Sequence, residues 1–154
     1  MAELKEGNKA PDFTAIDQDG KKVKLSSYKG EKNIVLYFYP KDNTPGCTTQ
    51  ACDFRDHHKK FKNTVILGVS IDSTERHQKF IGKYDLPFTL LADIDKKVVQ
   101  KYGVWQEKKL YGKTFMGIVR TTFIIDKSGT IQKIFPKVKV KTHIEEVLSA
   151  LKEI

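Results

Sequence analysis

The chain has 154 residues and a formal charge of +9, with 28 lysines and arginines against 19 aspartates and glutamates. A chain of this length buries enough apolar surface to fold without a disulfide or a structural metal, so we expect a single domain over residues 1–154. The amino terminus is charged, and no apolar run approaches the roughly 18 residues of a membrane helix. We therefore expect a cytoplasmic protein without a membrane partner.

The positive charge does not indicate a nucleic-acid partner. Only three of the basic residues are arginines (Arg55, Arg76 and Arg120), and the lysines are spread over every segment of the chain. Proteins that bind nucleic acids usually combine arginine side chains with aromatic residues on one basic patch. A scattered lysine-rich surface is typical of a soluble, well-hydrated protein.

The first part of the chain predicts a β-hairpin followed by a buried strand. The hairpin joins residues 13–16 to residues 23–25 through the turn at residues 17–20. Residues 34–39 are apolar almost without interruption, which is typical of a central strand covered on both faces.

A helix and a second buried strand follow the central strand. Apolar and aromatic side chains recur at helical spacing at Ala51, Phe54, His58 and Phe61. Residues 65–71 form the second apolar run. Strand, helix and strand in this order predict two parallel neighbours in one sheet.

Two helices and a second hairpin are expected next. Asp72-Ser73 offers an N-cap for a helix that should stop near Pro87, and a short helix over residues 96–102 should end at Gly103. Residues 118–125 and 130–135 flank a turn-rich link, which predicts an antiparallel strand pair.

The chain ends in a predicted amphipathic helix. Residues 142–145 (THIE) have the pattern of a capping box. The apolar stripe of this helix consists of Ile144, Val147, Leu148 and Leu151. Together these elements predict an α/β protein with the thioredoxin-like fold, in which helices flank a mixed central sheet, with an additional N-terminal β-hairpin.

The only two cysteines, Cys47 and Cys52, lie after the central strand, near the start of the first helix. In a reducing cytosol such a pair is more often catalytic, redox-active or metal-binding than a permanent disulfide. Unpaired amide groups and the helix dipole at a first helical turn favour a thiolate, which is the nucleophilic form of cysteine.

A metal-binding module is one alternative, because His57 and His58 could join Cys47 and Cys52 as a set of four ligands. The spacing argues against it, since zinc motifs usually place two cysteines two to four residues apart. The two histidines are more simply interpreted as polar residues on an amphipathic helix.

Two further alternatives remain open. A simple thiol-disulfide oxidoreductase normally carries C-x-x-C, whereas this chain has C-x-x-x-x-C. A holdase-like binding protein is not excluded, and Trp105, Phe115 and Met116 could form an apolar rim, although aromatic residues in such numbers more often belong to the core.

Pro40, Thr44 and Cys47 form the pattern P-x-x-x-T-x-x-C, and with this pattern the chain resembles the peroxiredoxins. The second cysteine, Cys52, and the segment GIVRTTFIID at residues 117–126 are similar to the bacterioferritin comigratory protein branch, also called peroxiredoxin Q. The resemblance extends from APDF at residues 10–13 to the last helix.

This resemblance implies a thiol peroxidase that reduces hydrogen peroxide and organic hydroperoxides. It implies a sulfenic acid on Cys47, an intramolecular disulfide with Cys52, and re-reduction by thioredoxin or a similar dithiol. The Thr44 hydroxyl would hold the peroxide, Arg120 would donate charge-assisted hydrogen bonds, and Pro40 would shield the pocket from water. No cofactor or metal is implied, and members of this branch are expected to be monomers.

Overall fold

Two β-sheets and four α-helices make up the computed structural model of the protein, which describes residues 3–154. The strands are β1 (Thr14–Ile16), β2 (Lys22–Lys24), β3 (Asn33–Phe38), β4 (Thr64–Ser70), β5 (Thr89–Ala92), β6 (Trp105–Leu110), β7 (Lys113–Ile118), β8 (Thr121–Ile125) and β9 (Ile131–Phe135). The helices are α1 (Pro45–Asp56), α2 (Thr74–Tyr84), α3 (Lys97–Lys101) and α4 (Val140–Lys152). None of the helices between residues 3 and 154 is both long and apolar enough to cross a membrane.

The large sheet has the strand order β2-β1-β5-β4-β3-β8-β9. β3 pairs in parallel with β4 and antiparallel with β8, so the sheet is mixed and β3 lies inside it. The predicted hairpin forms from β1 and β2, and Ile16 joins it to the sheet opposite Ala92 of β5. The expected α/β architecture, with a mixed central sheet flanked by helices and an N-terminal hairpin, is confirmed.

The sheet separates two apolar cores. Successive side chains of a strand point to opposite faces, and in β3 the side chains of Leu36 and Phe38 join one core while those of Val35 and Tyr37 join the other. The second core also contains Phe54 of α1 and receives residues of α4. A strand that is buried on both faces explains why its sequence is almost continuously apolar.

The predicted antiparallel pair of residues 118–125 and 130–135 is confirmed in β8 and β9, but the expectation that residues 118–125 form one continuous strand was wrong. Val119 and Arg120 separate β7, which pairs with β6 in a two-stranded sheet, from β8 in the large sheet. The Val119 amide donates to the Val104 carbonyl at 2.9 Å, and the Arg120 carbonyl accepts from the Val138 amide at 2.9 Å. Because their backbone groups bond to Val104 and Val138, the two residues that link β7 to β8 pair with neither strand's partner.

Two helix boundaries also differ from expectation. α4 begins at Val140 with Lys139 as its N-cap, so the predicted capping box lies inside the helix, where the Thr142 hydroxyl donates to Glu146 at 3.3 Å. α1 ends at Asp56, and the following residues, His58–Lys60, form a short 3₁₀ turn. The predicted Ser73 cap is confirmed, since its hydroxyl accepts from the Arg76 amide at 3.3 Å.

His143 is a buried histidine on α4, with only 2% of its surface exposed. Its Nε2 lies 2.8 Å from the Thr122 hydroxyl, whereas Nδ1 has no hydrogen-bond partner among the described residues. Burial, with a smaller contribution from the Arg120 cation, lowers the pKa of His143 to about 4. The folded protein therefore holds this ring in its neutral form at neutral pH.

Stability should consequently depend on the protonation of His143. As the pH falls below 6.5, the unfolded chain takes up a proton on this ring, while the folded chain takes up none until about pH 4. The free energy of unfolding should fall by about 3 kcal/mol over that interval because of this one group. In His143→Gln, whose amide can still reach Thr122, urea unfolding should show a correspondingly flatter pH dependence.

The exposed His58 provides the control, because His58→Gln should follow the wild type at every pH. If His143→Gln and the wild type lose stability in parallel between pH 7 and pH 4, the ring does not titrate in this way.

Candidate active site

Cys47 lies in the first turn of α1, at the end of the loop that follows β3. Pro45 is the first helical residue and Thr44 is the N-cap, an arrangement that suits proline because first-turn amides have no helical partner. The Thr48 amide donates to the Thr44 carbonyl at 2.8 Å, so the Cys47 amide precedes the helical ladder. Cys47 is 2% exposed. Its thiol therefore lies near the positive end of the helix dipole and largely out of water.

Arg120 contacts the sulfur of Cys47 directly. Its Nη2 donates to Cys47 Sγ at 3.2 Å, and its Nη1 donates to Gln50 Oε1 at 2.6 Å. The Arg120 backbone is also held, by the Val138 amide. A guanidinium fixed in this way presents one N–H donor to the thiol while Gln50 holds its second nitrogen, and a cation beside a cysteine favours the thiolate.

Gly46 leaves room for this guanidinium. A Cβ atom at Gly46 would lie 3.1 Å from Arg120 Nη2, closer than ordinary van der Waals contact. Gly46 is helical and does not need a positive φ, so its role is to make space. Sequence analysis did not single out Gly46 or Gln50, although Gln50 follows Cys47 by three residues, which places both on one helix face.

Thr44 and Pro40 border the loop in front of Cys47, and both are half-buried. The Thr44 hydroxyl donates to the Lys41 carbonyl at 2.8 Å and makes no capping bond to α1. Because a hydroxyl has one hydrogen and two lone pairs, the Thr44 oxygen can still accept a hydrogen bond from another group.

Asp42 anchors this loop to the body of the protein and is 7% exposed. Its carboxylate accepts from the Tyr39 hydroxyl at 2.5 Å and lies 2.6 Å from His77 Nδ1. Its amide donates to Asp72 Oδ2 at 2.8 Å. His77 Nε2 is 3.0 Å from the Leu91 carbonyl, which can only accept, so Nε2 carries a proton. The loop is therefore tied by buried polar contacts to α2 and to the strands beneath it.

Sequence analysis missed Asp42 because an aspartate between Pro40 and Thr44 has the appearance of an ordinary turn residue. Its partners Asp72 and His77 lie 30 and 35 residues away along the chain. Only the fold brings them together.

Cys52 lies on the same helix as Cys47, is half-buried, and is not disulfide-bonded to it. Residues five apart in an intact α-helix have Cα atoms about 8.6 Å apart and differ by about 140° in direction. A disulfide needs a Cα separation below about 7 Å and side chains that face each other. The two thiols therefore cannot form a bond while α1 is intact between them.

The four residues of the metal-binding alternative do not form a ligand cluster. Within residues 3–154, no group of three or more His, Cys, Asp and Glu side chains could hold a metal ion. His57 Nδ1 instead lies 2.9 Å from the Asp53 carbonyl, and His58 is exposed. The geometry thus gives no support to a metal centre made from Cys47, Cys52, His57 and His58.

Lys108 brings the β6–β7 hairpin into the electrostatics of the site. Its Nζ donates to the Ile118 carbonyl at 2.8 Å. Burial lowers the pKa of Lys108, the Arg120 cation lowers it further, and Cys47 acts in the opposite direction. Lys108 was not among the predicted site residues because its hairpin is exposed and polar and had not been recognised as a pair of strands.

The site therefore combines a buried thiol, a helix N-terminus and a planar cation that touches the sulfur. Such an arrangement can stabilise negative charge on sulfur and on an oxygen atom that approaches it. Cys47, Arg120, Thr44 and Pro40 lie around one loop and helix start, as their motif suggested, while Cys52 lies farther along α1.

Comparison with known proteins identifies the family of this chain. The AhpC/TSA family pattern matches residues 7–134. Peroxiredoxin Bcp of Bacillus subtilis is 56% identical over 149 residues, covering 96% of this chain and 94% of that protein. Peroxiredoxin Bcp of Escherichia coli K12 is 44% identical over 155 residues, covering 99% of each chain.

Solved structures show the same relationship. A cysteine-to-serine mutant of Xylella fastidiosa PrxQ has 34% identity and a TM-score of 0.92, covering 99% of this chain and 98% of its own. A mutant of Xanthomonas campestris peroxiredoxin Q has 39% identity and a TM-score of 0.86, covering 92% of this chain and 90% of its own. The chain therefore belongs to the AhpC/TSA family, in its peroxiredoxin Bcp and PrxQ branch, and has the thioredoxin-like fold and thiol-dependent peroxidase activity of that branch.

Proposed function

We propose that Cys47 is the peroxidatic nucleophile and that Cys52 resolves its oxidised form within the same chain. The observation that carries this proposal is the 3.2 Å contact between Arg120 Nη2 and Cys47 Sγ at the start of α1. Cys47 therefore has both a cation and a helix N-terminus beside it, whereas Cys52 lies about 1.4 turns farther along the helix.

In the first step the Cys47 thiolate attacks one oxygen of a hydroperoxide. An S–O bond forms and the O–O bond breaks, so that sulfur is oxidised to a sulfenic acid and the other oxygen leaves as hydroxide or alkoxide, which takes a proton from water. In this proposal Arg120 and the Cys47 amide donate to the developing charge, and the Thr44 hydroxyl accepts from the peroxide hydroxyl; the contacts of Arg120 with Cys47 and of Thr44 with Lys41 support these roles. Pro40 limits access of water to the loop.

In the second step the Cys52 thiol displaces water from the Cys47 sulfenic acid and forms an intramolecular disulfide. A dithiol protein such as thioredoxin then reduces this bond by thiol-disulfide exchange. No cofactor takes part in the cycle. Because both sulfurs belong to one chain, a monomer can complete it.

The arrangement of the sheet supports the proposal that the chain works as one domain. Its strand order places β1 and β2 from the amino-terminal part in the same sheet as β8 and β9 from the carboxy-terminal part. The site itself joins the loop after β3 to the link before β8, so neither half of the chain contains it alone.

Substitution of each cysteine tests the assignment of the two thiols. In a coupled assay with thioredoxin, thioredoxin reductase and NADPH, Cys47→Ser should consume no peroxide above background, because the nucleophile is gone. Cys52→Ser should reduce one equivalent of peroxide per Cys47 and accumulate its sulfenic acid, measurable by mass spectrometry after trapping. Steady-state turnover by Cys47→Ser at the wild-type rate would contradict the assignment.

Gly46→Ala tests whether the position of the guanidinium matters. The added methyl group should push Arg120 Nη2 a few tenths of an ångström from Cys47, and the loss of one well-placed donor costs on the order of a hundredfold in rate in other enzymes. Since alanine is also the better helix former by up to about 1 kcal/mol, stability should be kept or increased. We expect slower oxidation of Cys47 in stopped-flow measurements, at a melting temperature equal to or above that of the wild type.

Gly82→Ala is the matched control, because Gly82 is also helical and a Cβ atom there would meet nothing within 4 Å. Arg120→Lys, which keeps the charge but not the planar pair of donors, should be slow like Gly46→Ala. Wild-type oxidation rates in both Gly46→Ala and Arg120→Lys would show that guanidinium geometry does not contribute.

A further inference from the structure

We propose that Tyr84 and Arg55 form a clamp between α2 and α1 that sets how fast Cys52 can reach the oxidised Cys47. This inference rests on the proposed function, and it concerns the regulation of the same site. The clamp consists of two hydrogen bonds, which join the last turn of α2 to the two ends of the segment that contains both cysteines.

The first bond lies before Cys47. The Tyr84 hydroxyl donates to Asn43 Oδ1 at 3.2 Å, and Asn43 immediately precedes the N-cap Thr44. The Tyr84 ring packs edge-on against Phe80, which is 2% exposed, with 5.5 Å between the two ring centroids. Asn43 has a positive φ of 61°, a conformation that asparagine tolerates better than most residues. The start of α1 is therefore held against a rigid ring.

The second bond lies after Cys52. Arg55 Nη1 donates to the Tyr84 carbonyl at 2.7 Å. This carbonyl belongs to the last turn of α2, where carbonyl groups lack helical partners and the helix dipole is negative. A cationic donor therefore satisfies an acceptor that would otherwise need water. Asp56 Oδ1 accepts from Arg55 Nε at 2.9 Å and orients the guanidinium.

The same bond constrains Cys52. Arg55 follows Cys52 by three residues, so both side chains lie on the same side of α1. The neighbouring Cys52 is among the groups that raise the pKa of Arg55, after the hydrogen bond to Asp56. While Arg55 is bound to Tyr84, the turn that carries Cys52 is held in its helical orientation, rotated by about 140° from Cys47.

The apolar anchor of α1 lies just beyond this segment. Phe54 is 1% exposed and packs against Tyr37, Phe61 and Phe88 from the sheet and neighbouring loops. Partial unwinding of the turns between Cys47 and Cys52 can leave this aromatic cluster in place. Both hydrogen bonds of Tyr84 lie outside this cluster, one before the segment and one directly after Phe54, so they oppose rotation of the turn that carries Cys52 without being part of the core.

Breaking the clamp should accelerate disulfide formation without changing the first oxidation of Cys47. Tyr84→Phe removes only the bond to Asn43, and Arg55→Met removes the donors while it keeps an apolar stem of similar length. Loss of one such bond should raise the rate of Cys47–Cys52 disulfide formation by roughly five- to tenfold, with a larger increase in the double variant. The fraction of Cys47 over-oxidised to sulfinic acid at high peroxide should fall in parallel.

The measurement is a rapid-quench series after one equivalent of hydrogen peroxide, in which alkylation and mass spectrometry report sulfenic acid, sulfinic acid and disulfide separately. Amide hydrogen exchange of residues 47–54 in the reduced proteins is the second readout, because it reports unwinding without any dependence on thiol chemistry. Lys79→Met is the matched control, since it removes an exposed cation from the same helix and should leave both readouts unchanged.

Faster exchange together with faster disulfide formation in Tyr84→Phe and in Arg55→Met would support the clamp. Unchanged exchange in both variants, or disulfide formation that stays at or below the wild-type rate, would overturn it. If the wild type oxidises Cys47 but forms no bond to Cys52, the proposed resolving step and the clamp both fail. A wild-type disulfide that forms at the same rate in every variant leaves the proposed function intact and removes the clamp alone.

Discussion

The contact between Arg120 and Cys47 is the interaction on which the rest of the site depends. It brings the cation to the sulfur, and it exists only while the first turn of α1 is formed. The guanidinium reaches the sulfur at 3.2 Å from a link between two sheets. Gly46 leaves the space for it, and Gln50 fixes its second nitrogen. Any movement of the helix start therefore separates the cation from the thiol.

The start and the end of α1 differ in the contacts that dominate. At the start, Cys47 is buried in the apolar core, but the position of the turn is set by polar contacts, namely that of Arg120 with Cys47 and the network of Asp42 in the preceding loop. Near the end, the largest contact is that of Phe54, whose aromatic neighbours form part of the same apolar core. Polar contacts can be exchanged for water at small net cost, whereas exposing a buried phenylalanine is expensive. This difference explains why the proposed cycle can unwind the cysteine segment and keep the fold.

Sequence patterns predicted the elements that depend on apolar burial. Residues whose role depends on a hydrogen bond to a residue far away in the sequence were harder to predict. β3 and β4 were evident because buried parallel strands are continuously apolar. β6 and β7 were missed because WQEKKL is largely polar and KTFMGI leaves its apolar Phe115 and Met116 exposed, so neither strand shows the pattern of a buried face. Arg120 could be inferred as an isolated arginine between apolar residues, but nothing local marks Asp42, whose meaning comes from His77.

Hydrogen exchange in the two redox states tests most directly whether α1 must unwind for Cys52 to reach Cys47. Ideal helical geometry separates Cα atoms five residues apart by about 8.6 Å, so a bond between Cys47 and Cys52 requires a change in those turns. In protein oxidised with one equivalent of hydrogen peroxide, peptide mapping should show a Cys47–Cys52 bond within one chain. The amides of residues 47–54 should exchange faster than in the reduced protein, while those of β3 and β4 stay protected. Equal protection of residues 47–54 in both states, or a Cys52 bond only to a second chain, would contradict the account.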